Sequence, residues 1–327
     1  MGSEKVIQNR RFSVPLVLLI SVALNLATIS CGDKHAEISA EDLIEKANEY
    51  YAKRDFENTI STCNKVLRVS PENVESLILR GIAYRLTGEY ELAKNDFLKA
   101  IHLNPKDYRP YFSLGNLYHE TGNYVEAIQN FQASLVYNSE NDAAYAAIGG
   151  VLWDEGKYDL AIQECTTAIR MNPESDYAYY HRGIAYEALK KYNLAMEDYQ
   201  AAANLDTEIF KVYYHRGKMY LKQDKYVEAM ADCNLALQMQ PDAELAYFTR
   251  GLVHYELGNS RVAIEDYSTA IELGAQIPDV FYYRAMAYLK EGNHDLAVDD
   301  LEDALRIHPG FKDAELALTE IRKKSNE

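Results

Sequence analysis

The sequence predicts an all-α solenoid, a row of helical hairpins stacked on one another. Its residue pattern recurs every 34 positions from Ala40 to Phe311 without insertion, which makes eight units. Each unit holds two apolar stripes at helical spacing, and most place a glycine between them. Proline closes most units, where it ends the second stripe because it cannot continue a helical hydrogen-bond ladder. Self-similarity at this interval means that each unit buries its apolar face only against its neighbours. Composition agrees with a folded chain, since hydrophobic residues make up 48% and charged residues 26% of the 327 residues. A net charge of −16 argues against a nucleic-acid partner, because phosphate contacts need clustered Lys and Arg.

Ahead of the repeats, Lys5, Arg10 and Arg11 precede an apolar run from Phe12 to Ile29. A basic start, an apolar stretch and then small residues read as an export signal over residues 1–30. The run closes on Thr28-Ile29-Ser30-Cys31-Gly32, which resembles the lipobox of bacterial lipoproteins. Ser30 and Ile29 suit that pattern, and Thr28 stands where leucine is usual. The resemblance implies that Cys31 is the lipid-attachment residue and the mature N-terminus, which ties the chain to a membrane. Two other fates fit the same residues. The run could persist as a signal anchor, although its eighteen residues barely span a bilayer, or cleavage after Ser30 could release a soluble protein. All three export the remainder. Residues 31–39 are a short tether, and Gly32 to Ile38 reach about 25 Å at full extension, so an anchored first unit would stay near the headgroups.

With Ala40 as place 1, place 8 is Gly81, Gly115, Gly149, Gly183, Gly217 and Gly251, flanked by Ala47 and Ala285 in the terminal units. Place 20 is alanine in seven units, from Ala93 to Ala297, with Thr59 in the first. Small residues here let two helix axes approach to roughly 8–10 Å. Place 15 carries the turn glycines Gly88, Gly122, Gly156, Gly258 and Gly292, and place 32 carries Pro71, Pro105, Pro173, Pro241 and Pro309. Ser39-Ala40-Glu41-Asp42 reads as a capping box that starts the first helix. Aromatic, glycine, tyrosine, alanine and proline at these places resemble the tetratricopeptide repeat over 272 residues. The resemblance implies a right-handed superhelix of eight hairpins at residues 40–311, with first helices lining the concave side. Residues 312–327 then supply a capping helix and tail.

Two further patterns lie inside the units. Arg80, Arg182, Arg216, Arg250 and Arg284 occupy place 7, and the same five units hold Asp96, Asp198, Asp232, Asp266 and Asp300 at place 23. Units without the arginine lack the aspartate, which predicts an ion pair inside each hairpin rather than a string of exposed arginines. Cys63, Cys165 and Cys233 share place 24, too far apart along a solenoid to bridge, and are predicted to pack as small hydrophobes.

No catalytic motif, cofactor fingerprint or metal-ligand spacing stands out, so the chain reads as non-catalytic with no cofactor. His181 and His215 stand at place 6 of adjacent units and read as groove residues rather than metal ligands. Places 2, 5, 9 and 12 should face the concavity. There the candidate partner-binding residues are Phe112, Trp153, Tyr177, Tyr180, Tyr214, Phe248, Tyr255 and Tyr282, with His181, His215, Lys211 and Lys218 beside them. Place 5 also allows a second reading, in which its rings pack sideways between neighbouring first helices. Export signal, lipobox and repeats together are similar to bacterial envelope lipoproteins of this repeat class, which act as adaptors. They imply a membrane-anchored scaffold at the cell envelope that binds a partner protein or peptide. The alternative is a soluble exported binder of a small ligand or glycan, with tyrosines as stacking platforms.

Overall fold

The computed structural model describes residues 39–205 and 207–324, so the export signal and Cys31 lie outside the described residues. Among the described residues there are seventeen helices and no strand. Sixteen pair as hairpins: α1 (Ala40–Ala52) with α2 (Phe56–Val69), α3 (Val74–Leu86) with α4 (Tyr90–Leu103), α5 (Tyr108–Glu120) with α6 (Tyr124–Tyr137), and α7 (Asp142–Asp154) with α8 (Tyr158–Met171). The series continues with α9 (Asp176–Ala188) and α10 (Tyr192–Asn204), α11 (Phe210–Leu221) and α12 (Tyr226–Met239), α13 (Glu244–Glu256) and α14 (Ser260–Glu272), and α15 (Pro278–Lys290) and α16 (His294–Ile307). A last helix, α17 (Lys312–Lys324), packs on α16 and buries Ala314, Leu318 and Ile321 in the terminal core cluster. None of these helices is long and apolar enough to cross a membrane.

Close approach inside six of the hairpins rests on the missing Cβ at place 8. A Cβ on Gly81, Gly115, Gly183 or Gly251 would stand 2.6–2.7 Å from the ring of Phe97, Phe131, Tyr199 or Tyr267, so the ring occupies the space that glycine leaves. Successive first helices pack directly on one another, as α1 on α3, α7 on α9 and α11 on α13. Contact within the first-helix row makes it the tighter, inner wall of a superhelical solenoid. The turn at place 15 is left-handed in every unit. Its five glycines have φ between +74° and +83°, and Arg54, Lys190 and Asp224 adopt +57° to +59° at the same place. Hairpin geometry therefore imposes this conformation even where a side chain strains it.

The five Arg–Asp pairs form inside their own hairpins. Each arginine donates from Nε and Nη2 to both carboxylate oxygens of its aspartate, at 2.6–2.9 Å. Rings at places 4 and 11 flank the guanidinium groups, with Tyr179 and Tyr186 about Arg182 and Tyr213 and Tyr220 about Arg216. Cys63, Cys165 and Cys233 are free and buried, and burial pushes each thiol up to about 12. At neutral pH they hold no reactive thiolate.

Candidate functional site

The predicted groove residues fall into two groups on the first-helix wall. In units 4–6, Tyr177 meets His181 edge-on at 4.4 Å, and Tyr180 lies 5.0 Å from His181 and 6.1 Å from His215. Trp153 packs from α7 against the same cluster, and Tyr214 lies 4.6 Å from His215. In units 7 and 8, Phe248 leans on Tyr267 and Tyr283, while Tyr282 meets Phe311 at 5.4 Å. Tyr255 carries the Lys290 ammonium 3.4 Å above its ring centroid. Phe112 joins neither group and packs on Phe131 in the core of units 3 and 4.

Burial bears on the two readings of place 5. Tyr180 and His181 are each only 8% exposed, whereas Tyr177 is 44% exposed. Phe112, Tyr214, Phe248 and Tyr282 are half-buried, so place 5 packs sideways between first helices while showing part of each ring. The lysines also differ from expectation. Lys211 is exposed, but Lys218 donates to Glu187 at 2.8 Å and Lys222 sits 4.3 Å over the Tyr192 ring. Two of these three lysines are therefore already engaged.

Glu187, at place 12 of unit 5, organises the centre of the wall. Its Oε2 contacts His215 Nδ1 at 2.8 Å and accepts the Tyr199 hydroxyl at 2.9 Å, and its Oε1 accepts Lys218. Burial pushes this carboxyl upward, but hydrogen bonds and charge from His215 and Lys218 outweigh it and hold the pKa at about 2. The His215 ring stacks on Tyr199 at 5.4 Å, which fixes its orientation toward the carboxylate. His181 is different. Burial drives its pKa down to about 3, neither ring nitrogen has a hydrogen-bond partner, and the Trp153 indole Nε1 also lacks one. Gly150 makes room for it, because a Cβ there would stand 2.8–3.2 Å from the imidazole. Among the described residues no group of three His, Cys, Asp or Glu is placed to hold a metal ion.

Polar links join every pair of neighbouring units, in two forms. At four junctions the third arginine nitrogen, Nη1, reaches the preceding second helix: Arg80 to Asn64, Arg182 to Thr166, Arg250 to Asn234 and Arg284 to Ser268, at 2.5–3.2 Å. At the other three the link lies on the inner wall, as Arg85 to Glu120, His119 to Asp154, and Glu187 to His215 and Lys218. Sequence reasoning missed Glu187, Gly150 and these inner links. Opposite charges at place 12 of one unit and place 13 of the next would have indicated the first two of those links, and the unusual Gly149-Gly150 pair marked the space beside His181.

Tetratricopeptide repeat models match residues 74–107, 97–129, 147–209, 217–281 and 278–311, together well over half of the chain. No curated protein matches it in sequence. Similar solved structures include the APC/C hetero-tetramer Cut9-Hcn1, at TM-score 0.70 and 20% identity over 88% of this chain and 57% of that one. The chain thus spans little more than half of that relative. The human IFIT1 dimer with m7Gppp-AAAA matches at TM-score 0.60 and 17% identity, covering 82% of this chain and 72% of that one. A tetratricopeptide repeat protein from Parabacteroides merdae matches at 0.54 and 20%, covering 76% and 98%. At such identities these likenesses speak for the fold alone. The 34-residue period, the hairpin geometry and the repeat models agree: this chain belongs to the tetratricopeptide repeat family.

Proposed function

We propose that this protein is an exported scaffold, held at the cell envelope through Cys31, that binds an extended segment of a partner protein along the inner wall of units 5–8. The observation that carries the reading is the row of half-open rings at Tyr214, Phe248, Tyr255 and Tyr282, held by packing in the core clusters of units 6–8. Rigid aromatic anchors lose little conformational entropy on binding, which suits them to hold a peptide. The acidic balance of the chain favours a protein over a nucleic acid. The lipobox-like Thr28–Gly32 segment and the short tether favour an anchored protein over a freely diffusing one.

Peptides selected from a displayed random library against the intact chain test the groove. They should lose at least tenfold in affinity for a Tyr214→Ala/Tyr282→Ala double variant, and keep it for an outer-face Leu160→Ser/Leu194→Ser variant. Equal binding to all three would move the site off this wall, and selection of glycans in place of peptides would favour a small-ligand binder. For the anchor, Cys31→Ala should shift the protein out of the membrane fraction or leave its precursor unprocessed. Fully processed Cys31→Ala protein that still fractionates with membranes would refute lipidation there.

A further inference from the structure

Place 5 carries a half-open ring in three successive units, as Tyr214, Phe248 and Tyr282. Neighbouring first helices pack at roughly 8–10 Å, so the three rings recur at that step and span roughly 16–20 Å. Contacts through Tyr283, at 6.1 Å to Phe248 and 5.3 Å to Tyr282, hold the last two centroids within about 11 Å of each other. The hydroxyls of Tyr214 and Tyr282 are accessible and make no hydrogen bond among the described residues. One turn before these two tyrosines stand Lys211 and Asp279, both exposed and neither in an ion pair among the described residues. The ring row therefore ends on a positive charge in unit 6 and a negative charge in unit 8.

We propose that this row takes a proline-rich segment in the polyproline II conformation, with an acidic residue at Lys211 and a basic one at Asp279. The inference rests on the groove reading above and narrows it to one partner chemistry. Spacing selects the conformation. A polyproline II helix returns to the same face every third residue, a step of about 9.3 Å, and two steps make about 18.6 Å. A β-strand repeats its face at about 6.8 Å, which runs out of step with the rings. An α-helix offers one face at about 5.4 Å per turn or about 10.5 Å over seven residues, and overshoots the row across two steps. Polyproline II also leaves its backbone carbonyls without internal partners, so they accept from the two open tyrosine hydroxyls. Its prolines are already restricted before binding, as the packed rings are, so little entropy is lost on either side. The two end charges set the direction in which such a segment lies.

Peptides selected from the same library should carry proline at every third position, with opposite charges about six residues apart. Inserting one glycine between two of those prolines breaks the step and should cost at least tenfold in affinity. Tyr214→Phe/Tyr282→Phe keeps both rings and their packing, removes the two donors, and should cost at least threefold. Lys211→Asp/Asp279→Lys exchanges the end charges at two surface positions, and should turn the preference to peptides with their charges reversed. Peptides that need Tyr214 and Tyr282 but repeat at two or seven residues, or tolerate the inserted glycine, would overturn the polyproline reading and leave the groove standing. Indifference to the charge exchange would overturn the end contacts. Binding that ignores the rings, or failure to recover any peptide, would overturn both readings.

Discussion

His215 and Arg216 are consecutive residues of α11, yet they serve different ends. Arg216 turns into its own hairpin and clamps Asp232, an arrangement found five times over with the same two-point geometry. His215 turns toward the preceding hairpin and joins Glu187 in a cluster that occurs once. A contact repeated at every equivalent place follows from the fold's own needs. A contact that breaks the repeat answers to something specific to that unit. In a repeat protein, departure from periodicity is therefore the better guide to function.

Asp232→Ala should give the largest loss, about 3–5 kcal/mol, because it leaves a largely buried guanidinium without its partner. Replacing Arg216 and Asp232 together by leucine should recover most of that, and a double-mutant cycle should show coupling above ~0.5 kcal/mol. Urea unfolding measures both. Coupling of Arg216 to Asp198 instead would contradict the assignment.

Removing the unique cluster should cost less and depend on pH. Glu187 has its pKa depressed from 4.5 to about 2, so its contribution is present above pH 4.5 and disappears as pH falls through 2. That depression corresponds to stability on the order of 2–3 kcal/mol at neutral pH. Glu187→Gln should therefore lower the neutral-pH melt and flatten the acid limb between pH 4.5 and 2. An unchanged acid limb would mean that the carboxylate titrates normally.

His181 acts in the same direction over a higher window. Its unfolded form takes up a proton near 6.5 and its folded form only near 3, so stability falls as pH drops through that window. By pH 5 the loss should reach about 2 kcal/mol relative to neutral pH, and His181→Phe should abolish it. Melting curves at pH 7 and 5 decide the matter, and parallel shifts in the two proteins would show that the imidazole is not kept neutral. The smallest effect belongs to a repeated feature. Lys190→Gly should gain about 1 kcal/mol by relieving the left-handed turn at φ +59°, while the same change at Lys191 should give no such gain.

The hairpins were legible in the sequence because each residue type answers a contact made again in the next unit. Gly81 opposite Phe97 and Gly251 opposite Tyr267 obey one rule, and its recurrence in four units helps reveal the fold. Depth on the inner wall obeys no such rule. Tyr180 and Tyr282 occupy the same place, but the first is buried among His181, His215 and Trp153 while the second shows part of its ring. What the neighbouring unit sets opposite decides the outcome, and Gly150 is the residue that lets His181 sink. Such one-off complementarity has no period. For the same reason the sequence left place 5 open between facing the groove and packing sideways.

The two forms of junction link have a mechanical consequence. When a coil is uncurled, material on its inner surface is stretched, and material between the two layers changes length least. The arginine Nη1 links at Asn64, Thr166, Asn234 and Ser268 run between the layers, near that neutral surface. The links at Glu120, Asp154 and Glu187 lie on the inner surface and take the strain directly. The protein is thus a spring of uneven stiffness, whose compliance at junction 5–6 depends on Glu187 staying charged. Acid that protonates Glu187 should soften that joint.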